Sequence, residues 1–134
     1  MTNPTLEQML REFHTAAQLP LPAAPTATPS LGSQTGRQGM LDSELTELAE
    51  ALAAGDIVAI ADAIADCIYV LAGTAVTYGV PLDRVLAEVH RSNMTKVPPA
   101  GPVLDPGTGK ILKGPGYECP QLAAVMGLEA DHAA

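Results

Sequence analysis

Apolar residues recur at helical intervals in several stretches of the chain. Leu6, Met9, Leu10 and Phe13 predict a short first helix. Residues 18–39 are then rich in Pro, Thr, Ser, Gly and Ala, with prolines at 20, 22, 25 and 29. Proline lacks the N–H and fixes φ, so this stretch reads as an extended connector across the surface. Met40 to Ala54 reads as a helix, because Leu41, Leu45, Leu48 and Leu52 form one apolar stripe. Gly55 ends it, and Asp56 is a suitable N-cap for the next. Ile57 to Tyr78 carries the stripe Ile57, Ile60, Ile64, Ile68 and Leu71, and its other faces hold Val and Ala. A helix apolar on nearly every side is expected at the centre of a bundle. Its two aspartates, its Ala in place of Leu and its lack of basic flanks argue against a membrane span.

Gly79-Val80-Pro81 breaks the chain, and Leu82 to Met94 supplies another helix with Leu82, Val85, Leu86 and Val89 on its apolar face. Residues 97–120 are crowded with Pro and Gly and read as loop, with a short hairpin expected around Gly107-Thr108-Gly109. Gln121 to Leu128 is expected to add a final turn or two of helix. The pattern is all-α, in one domain over 134 residues.

The formal charge of −8, from 15 acidic and 7 basic side chains, argues against a nucleic-acid or anionic-membrane surface. Two cysteines without metal-like spacing, and no secretory pattern at the start, suit a reducing cytoplasm. Only 16% of residues are charged, which points to surface used in an oligomer. The placement of the charge says more. Acidic residues gather at positions 42, 44, 47, 50, 56, 62 and 66, no Lys or Arg falls between Arg37 and Arg84, and five basic residues follow. Such segregation fits a metal–phosphate site, but by itself it more often describes solvated helix faces.

Glu44 and Glu47 are i, i+3 on one helix, and Asp62 and Asp66 are i, i+4 on the next. Carboxylates on two facing helices are what a hard divalent cation needs. Structural ion pairs from Asp62 and Asp66 to Arg84, Arg91 or Lys96 would also satisfy them, and spacing alone leaves both open. Gly107-Thr108-Gly109-Lys110 lacks the first glycine and the Ser/Thr of a phosphate-binding P-loop. Glu129 and His132 have the spacing of a di-iron pair in a single copy, which does not make a site. Cys67 reads as core and Cys119 as a loop cysteine.

The runs Leu41-Asp42-Ser43-Glu44-Leu45-Thr46-Glu47 and Ala61-Asp62-Ala63-Ile64-Ala65-Asp66 resemble the two acidic motifs of MazG-like all-α nucleoside triphosphate pyrophosphohydrolases. The run from Glu88 to Lys96, the run from Gly109 to Pro115, and Glu12-Phe13-His14 before a Pro-rich stretch resemble the short dUTPase-like and phage branch. The resemblance implies a four-helix-bundle-like fold, a homodimer or homotetramer, and hydrolysis of a (d)NTP to monophosphate and pyrophosphate with Mg²⁺ or Mn²⁺. Its substrate would be dGTP/GTP or dUTP, in the cytoplasm of a bacterium or of a host cell if the chain is phage-encoded. Carried over by position, Glu44, Glu47 and Asp66 would be metal ligands, with Glu44 or Glu47 catalytic. Asn93 and Lys96 would contact phosphate, and Lys110 and Lys113 would lie on a closing loop at 97–120. His90, Arg91 and Tyr117 are candidates for a base or phosphate contact.

Two positions depart from the pattern. Ser43 stands where relatives often carry a glutamate, and cannot act as a base. Ala63 stands where the second motif often has its glutamate, so the displaced Asp62 is the candidate replacement. A non-catalytic nucleotide- or metal-binding bundle that has lost part of the site is the competing expectation.

Overall fold

The computed structural model describes residues 2–30 and 36–128. Glu129 and His132 lie outside these. Among the described residues there are helices and no strand, in the order α1 (Leu6–Ala16), α2 (Arg37–Ala54), α3 (Ile57–Thr77), α4 (Leu82–Met94) and the single turn α5 (Leu122–Val125). The chain forms two compact units, one ending at Leu82 and the other beginning at Asp83.

In the first unit, α1 opens with a capping box. Thr5 Oγ1 accepts from the Gln8 amide at 3.2 Å, and Gln8 Oε1 accepts from the Thr5 amide at 2.8 Å. The helix buries Leu10 and His14 and leaves Met9 and Phe13 half-exposed, so its inner line is 6, 10, 14. The α2 helix begins at Arg37, three residues before the expected start. Gly36, at φ 82°, makes the turn into it, and proline is absent from position 30 to position 80, so nothing opposes helix at Arg37. The connector therefore stops short of residue 39.

The connector is tied to the unit rather than laid loosely over it. Leu21 packs against the cluster of Leu10, Ala72 and Val76, together with Leu6 and Leu82. The Thr26 amide donates to the Tyr78 carbonyl at 2.9 Å. Gly79, at φ 67°, ends α3 so close to the Ala24 carbonyl that a Cβ there would collide with it.

The α2–α3 hairpin turns on Gly55 at φ 69° and on Asp56. The Asp56 carboxylate accepts from the Val58 and Ala59 amides at 3.0 and 3.3 Å, as an N-cap should. The burial of α3 corrects the expectation of a fully central helix. Its buried positions are mostly small, with Ala63, Cys67, Ala72 and Gly73 beside Val76 and Thr77. The large residues point outward: Ile57 is 74% exposed and Val58 75%, and Ile64, Ile68 and Leu71 are about half-exposed. Small residues let α1 and α2 approach closely, and the wide apolar stripe is left uncovered within one chain. By length and composition α3 could also cross a membrane, although Asp62 and Asp66 interrupt it.

In the second unit, α4 runs over the residues expected of it and buries Ser92. Ser92 Oγ donates to the Glu118 carbonyl at 2.7 Å, and the Glu118 amide donates to Thr95 Oγ1 at 2.9 Å, which pins the end of the loop to the helix. The expected hairpin is present as an antiparallel bridge between Leu104 and Ile111. Asp105 organises its turn by accepting from the Gly107 and Thr108 amides at 2.8 and 2.9 Å. Those two amides hold the Asp105 carboxyl below the usual carboxylate range.

Candidate metal centre and family

Glu44 lies on the inner line of α2, which runs Leu41, Glu44, Leu48, Ala51, a spacing of three and four residues. The side chain is therefore carried toward α3 with the packing residues. One turn later on the same helix comes Glu47, and Asp66 faces them from α3. One carboxylate oxygen from each of Glu44, Glu47 and Asp66 lies within 4.8 Å of the others.

Three carboxylates this close repel one another, and burial adds to the cost of their charge. Glu44 registers both effects. Burial foremost, and then the charges of Glu47 and Asp66, raise its carboxyl above the ordinary range. A hydrogen bond to Glu47, open only to the protonated acid, and the more distant Asp62 act in the same direction. Glu44 Oε2 is shut off from solvent and has no hydrogen-bond partner among the described residues. An orphaned buried oxygen inside an acidic group fits a cation, which would satisfy it and cancel the repulsion. Glu44, Glu47 and Asp66 are the residues that would hold such an ion, each offering a hard oxygen ligand.

Asp62 is exposed and stands outside the three, near enough only for its charge to act on Glu44. Ala63 is 4% exposed in the packed face of α3 and, being alanine, adds no carboxylate to the group. Ser43 is exposed on α2. Arg91 pairs with Glu88 at 2.8 Å and with Glu118 at 3.7 Å.

The remaining candidates lie in the second unit. Lys96 Nζ donates to Asn93 Oδ1 at 3.0 Å. Lys96 and Lys113 both stand over the Tyr117 ring, at 5.7 and 4.9 Å from its centroid, within cation–π range. Lys110 is exposed in the hairpin turn and His90 is exposed on α4. Arg91 is held by Glu88 through two hydrogen bonds, of 3.0 and 2.8 Å. Glu88 also accepts from the Gln121 amide at 2.9 Å.

The Arg91 guanidinium and the Gln121 amide hold the Glu88 carboxyl down to about 2. A depressed folded-state value stabilises the fold fully above the unfolded value of about 4.5, and the benefit fades as pH falls toward 2. Glu88→Ala is accordingly expected to melt below the wild type at pH 7, with the gap closing on acidification. A gap that stays constant down to pH 2.5 in circular-dichroism melts would show that the carboxylate is not the source.

His14 and Arg37 gain roles that the sequence did not suggest. Both line a cleft of about 350 Å³ within the first unit, together with Leu10, Phe13, Tyr69 and Gly73. For His14 the signals were its place four residues after Leu10 and the resemblance of Glu12-Phe13-His14, neither of which gave it a role. For Arg37 it was isolation, as the last base before a long acidic stretch.

No curated protein matches the chain significantly. The profile of the phosphoribosyl-ATP pyrophosphohydrolase family matches residues 10–93. That span includes both acidic helices and α4 as far as Asn93, and it ends before Lys96 and the run from Gly109 to Pro115. The acidic group, on two helices of an all-α fold, lies wholly inside the match. The chain is thus a pyrophosphohydrolase-type hydrolase of the all-α superfamily its acidic motifs resemble, and it belongs to the phosphoribosyl-ATP pyrophosphohydrolase family.

Proposed function

We propose that the chain hydrolyses a (deoxy)nucleoside triphosphate, of guanine or uracil type, to the monophosphate and pyrophosphate in nucleotide-pool control. The observation that carries this reading is the buried, unpartnered oxygen of Glu44 inside the three-carboxylate group. Glu44, Glu47 and Asp66 would hold Mg²⁺ or Mn²⁺, and Asp62 is available to a shifted or second ion. The ion, when bound, supplies charge neutralisation on the phosphates and an acidified water. Glu44 or Glu47 takes a proton from the attacking water as its oxygen bonds to the α-phosphorus and the bond to the bridging oxygen breaks, releasing pyrophosphate. Asn93, Lys96, Lys110 and Lys113, with Arg91 and His90 near them in sequence, are the proposed phosphate-binding set. Tyr117, already beneath two lysines, orders their ammonium groups.

The test is a panel of dNTPs, NTPs and phosphoribosyl-ATP with Mg²⁺ or Mn²⁺, its products resolved by chromatography. Monophosphate plus pyrophosphate is expected from dGTP, GTP or dUTP. Diphosphate plus orthophosphate would overturn the choice of bond, and turnover of phosphoribosyl-ATP alone would overturn the substrate. Ser43 and Ala63 favour a second reading, a bundle that binds nucleotide or metal without catalysis. Binding with no turnover of any substrate would establish it.

The uncovered stripe of α3 carries a further part of the proposal, a cytoplasmic homodimer or homotetramer in which Ile57, Ile64, Ile68 and Leu71 meet a second copy. Ile64→Glu with Ile68→Glu is expected to give monomers in sedimentation analysis. An unchanged sedimentation coefficient, or a wild type that is already monomeric, would remove the stripe as the interface.

A further inference from the structure

The cleft between α1, α2 and α3 has mostly apolar walls and few polar groups, the composition of a site for a flat organic ring. Phe13 and Tyr69 meet edge to face at 5.7 Å and 80°, and both are partly exposed. The cleft is also next to the acidic group. Met40, on its wall, precedes Glu44 by four residues, and Tyr69 follows Asp66 by three. Along α2 and α3, ring site and carboxylates are thus one helical turn apart.

The polar groups in the cleft have defined characters. Arg37 only donates. A Cβ at Gly73 would stand 2.8 Å from Arg37 Nη1, so the glycine in mid-helix makes the room that the guanidinium occupies. His14 is 2% exposed, and its Nδ1 lies 3.4 Å from the Pro20 carbonyl. That carbonyl requires a proton on Nδ1. Burial foremost, and the nearby Arg37 charge, lower the ring's pKa against the opposing Pro20 hydrogen bond, and a neutral ring with its proton on Nδ1 offers Nε2 as an acceptor. The Thr77 hydroxyl donates to the Gly73 carbonyl at 2.8 Å, which commits its proton within the helix.

A donor and an acceptor on one cleft match a particular edge. We infer that this cleft is the base subsite of the proposed nucleotide site, and that Arg37 and His14 select bases presenting a ring carbonyl beside a ring N–H. Guanine, hypoxanthine, uracil and thymine share that edge: the carbonyl accepts from Arg37 and the N–H donates to His14. Adenine and cytosine invert it, setting an amino donor against the guanidinium and a bare ring nitrogen against Nε2. Burying such a mismatch lowers affinity by at least about tenfold. The inference rests on the nucleotide-hydrolase reading and assigns its base preference to Arg37 and His14.

Calorimetric binding of deoxynucleoside monophosphates to the full chain in EDTA tests the subsite without turnover. dGMP or dUMP is expected to bind at least about tenfold more tightly than dAMP and dCMP. 1-methyl-dGMP and 3-methyl-dUMP, which lack the N–H, should lose that advantage, and this arm needs no variant that could misfold. Arg37→Met should level the panel while retaining the helical circular-dichroism spectrum. Equal binding of all four bases, undiminished binding of the methylated analogues, or no binding of any would overturn the inference. The metal-dependent turnover panel is read separately. Base preference without turnover sinks the catalytic reading and leaves the subsite standing; turnover with no base preference does the reverse.

Discussion

Glu44→Gln is expected to raise the melting temperature of the metal-free protein and, in the same molecule, to weaken metal binding. The side chain sits where burial and two neighbouring carboxylates oppose its charge, and its Oε2 has no hydrogen-bond partner among the described residues. The folded protein therefore binds the Glu44 proton more tightly than the unfolded chain does, whose value is about 4.5. Below that pH both states hold the proton and nothing is lost. As pH rises from about 4.5 through the raised folded value, the wild type loses stability and glutamine does not. The gap between their melting temperatures in EDTA should open over that range and remain open at pH 8. Added Mn²⁺ should reverse the order, since binding to the folded state alone stabilises by RT ln(1 + [L]/Kd) and the variant lacks an anionic ligand. Its metal affinity should fall by at least about tenfold, and turnover by Glu47→Gln or Asp66→Asn by about a hundredfold or more. If glutamine at position 44 melts with the wild type in EDTA at every pH, the three carboxylates do not strain one another as described.

Gly79→Ala is expected to be the most damaging single methyl in the first unit. Gly55 is the control, because it has nearly the same φ, 69° against 67°, and open space where a Cβ would be. Alanine at Gly55 pays the left-handed conformation alone, about 1–2 kcal/mol. At Gly79 the same cost applies, and in addition the Cβ meets the Ala24 backbone carbonyl, which cannot rotate away as a side chain would. The connector must then lift, loosening the hydrogen bond from Thr26 to Tyr78 and the packing of Leu21. Thermal melts should place Gly79→Ala below Gly55→Ala by roughly 1–3 kcal/mol. Equal destabilisation of the two would mean that the connector does not hold its position against the end of α3.

The helices and their ends were legible because their causes are local. The leucine and isoleucine intervals, Gly55 before Asp56, and Pro81 ahead of Leu82 act over a few residues, and α4 and the α2–α3 turn follow them. Position 37 shows the limit even there, since a Pro-rich composition ending at Pro29 says little about where a helix begins beyond it. Glu44, Glu47 and Asp66 were also legible, because helical spacing places carboxylates on faces before any partner is known. Which acids converge was not. Asp62 and Asp66 share a face by sequence, yet packing brings one into the group and leaves the other in solvent, a matter of how α3 is rotated against α2. The same rotation turned the expectation for α3 inside out. Hydrophobicity alone cannot distinguish a face that packs through Ala, Cys and Gly from one that offers Ile and Leu to something else, because close approach depends on size. The roles of His14 and Arg37 come from the tertiary structure, although the sequence marks His14 as part of a motif. Their chemistry arises from a carbonyl at Pro20 and a gap at Gly73, and contacts between residues so far apart in the chain leave no periodic trace in the sequence.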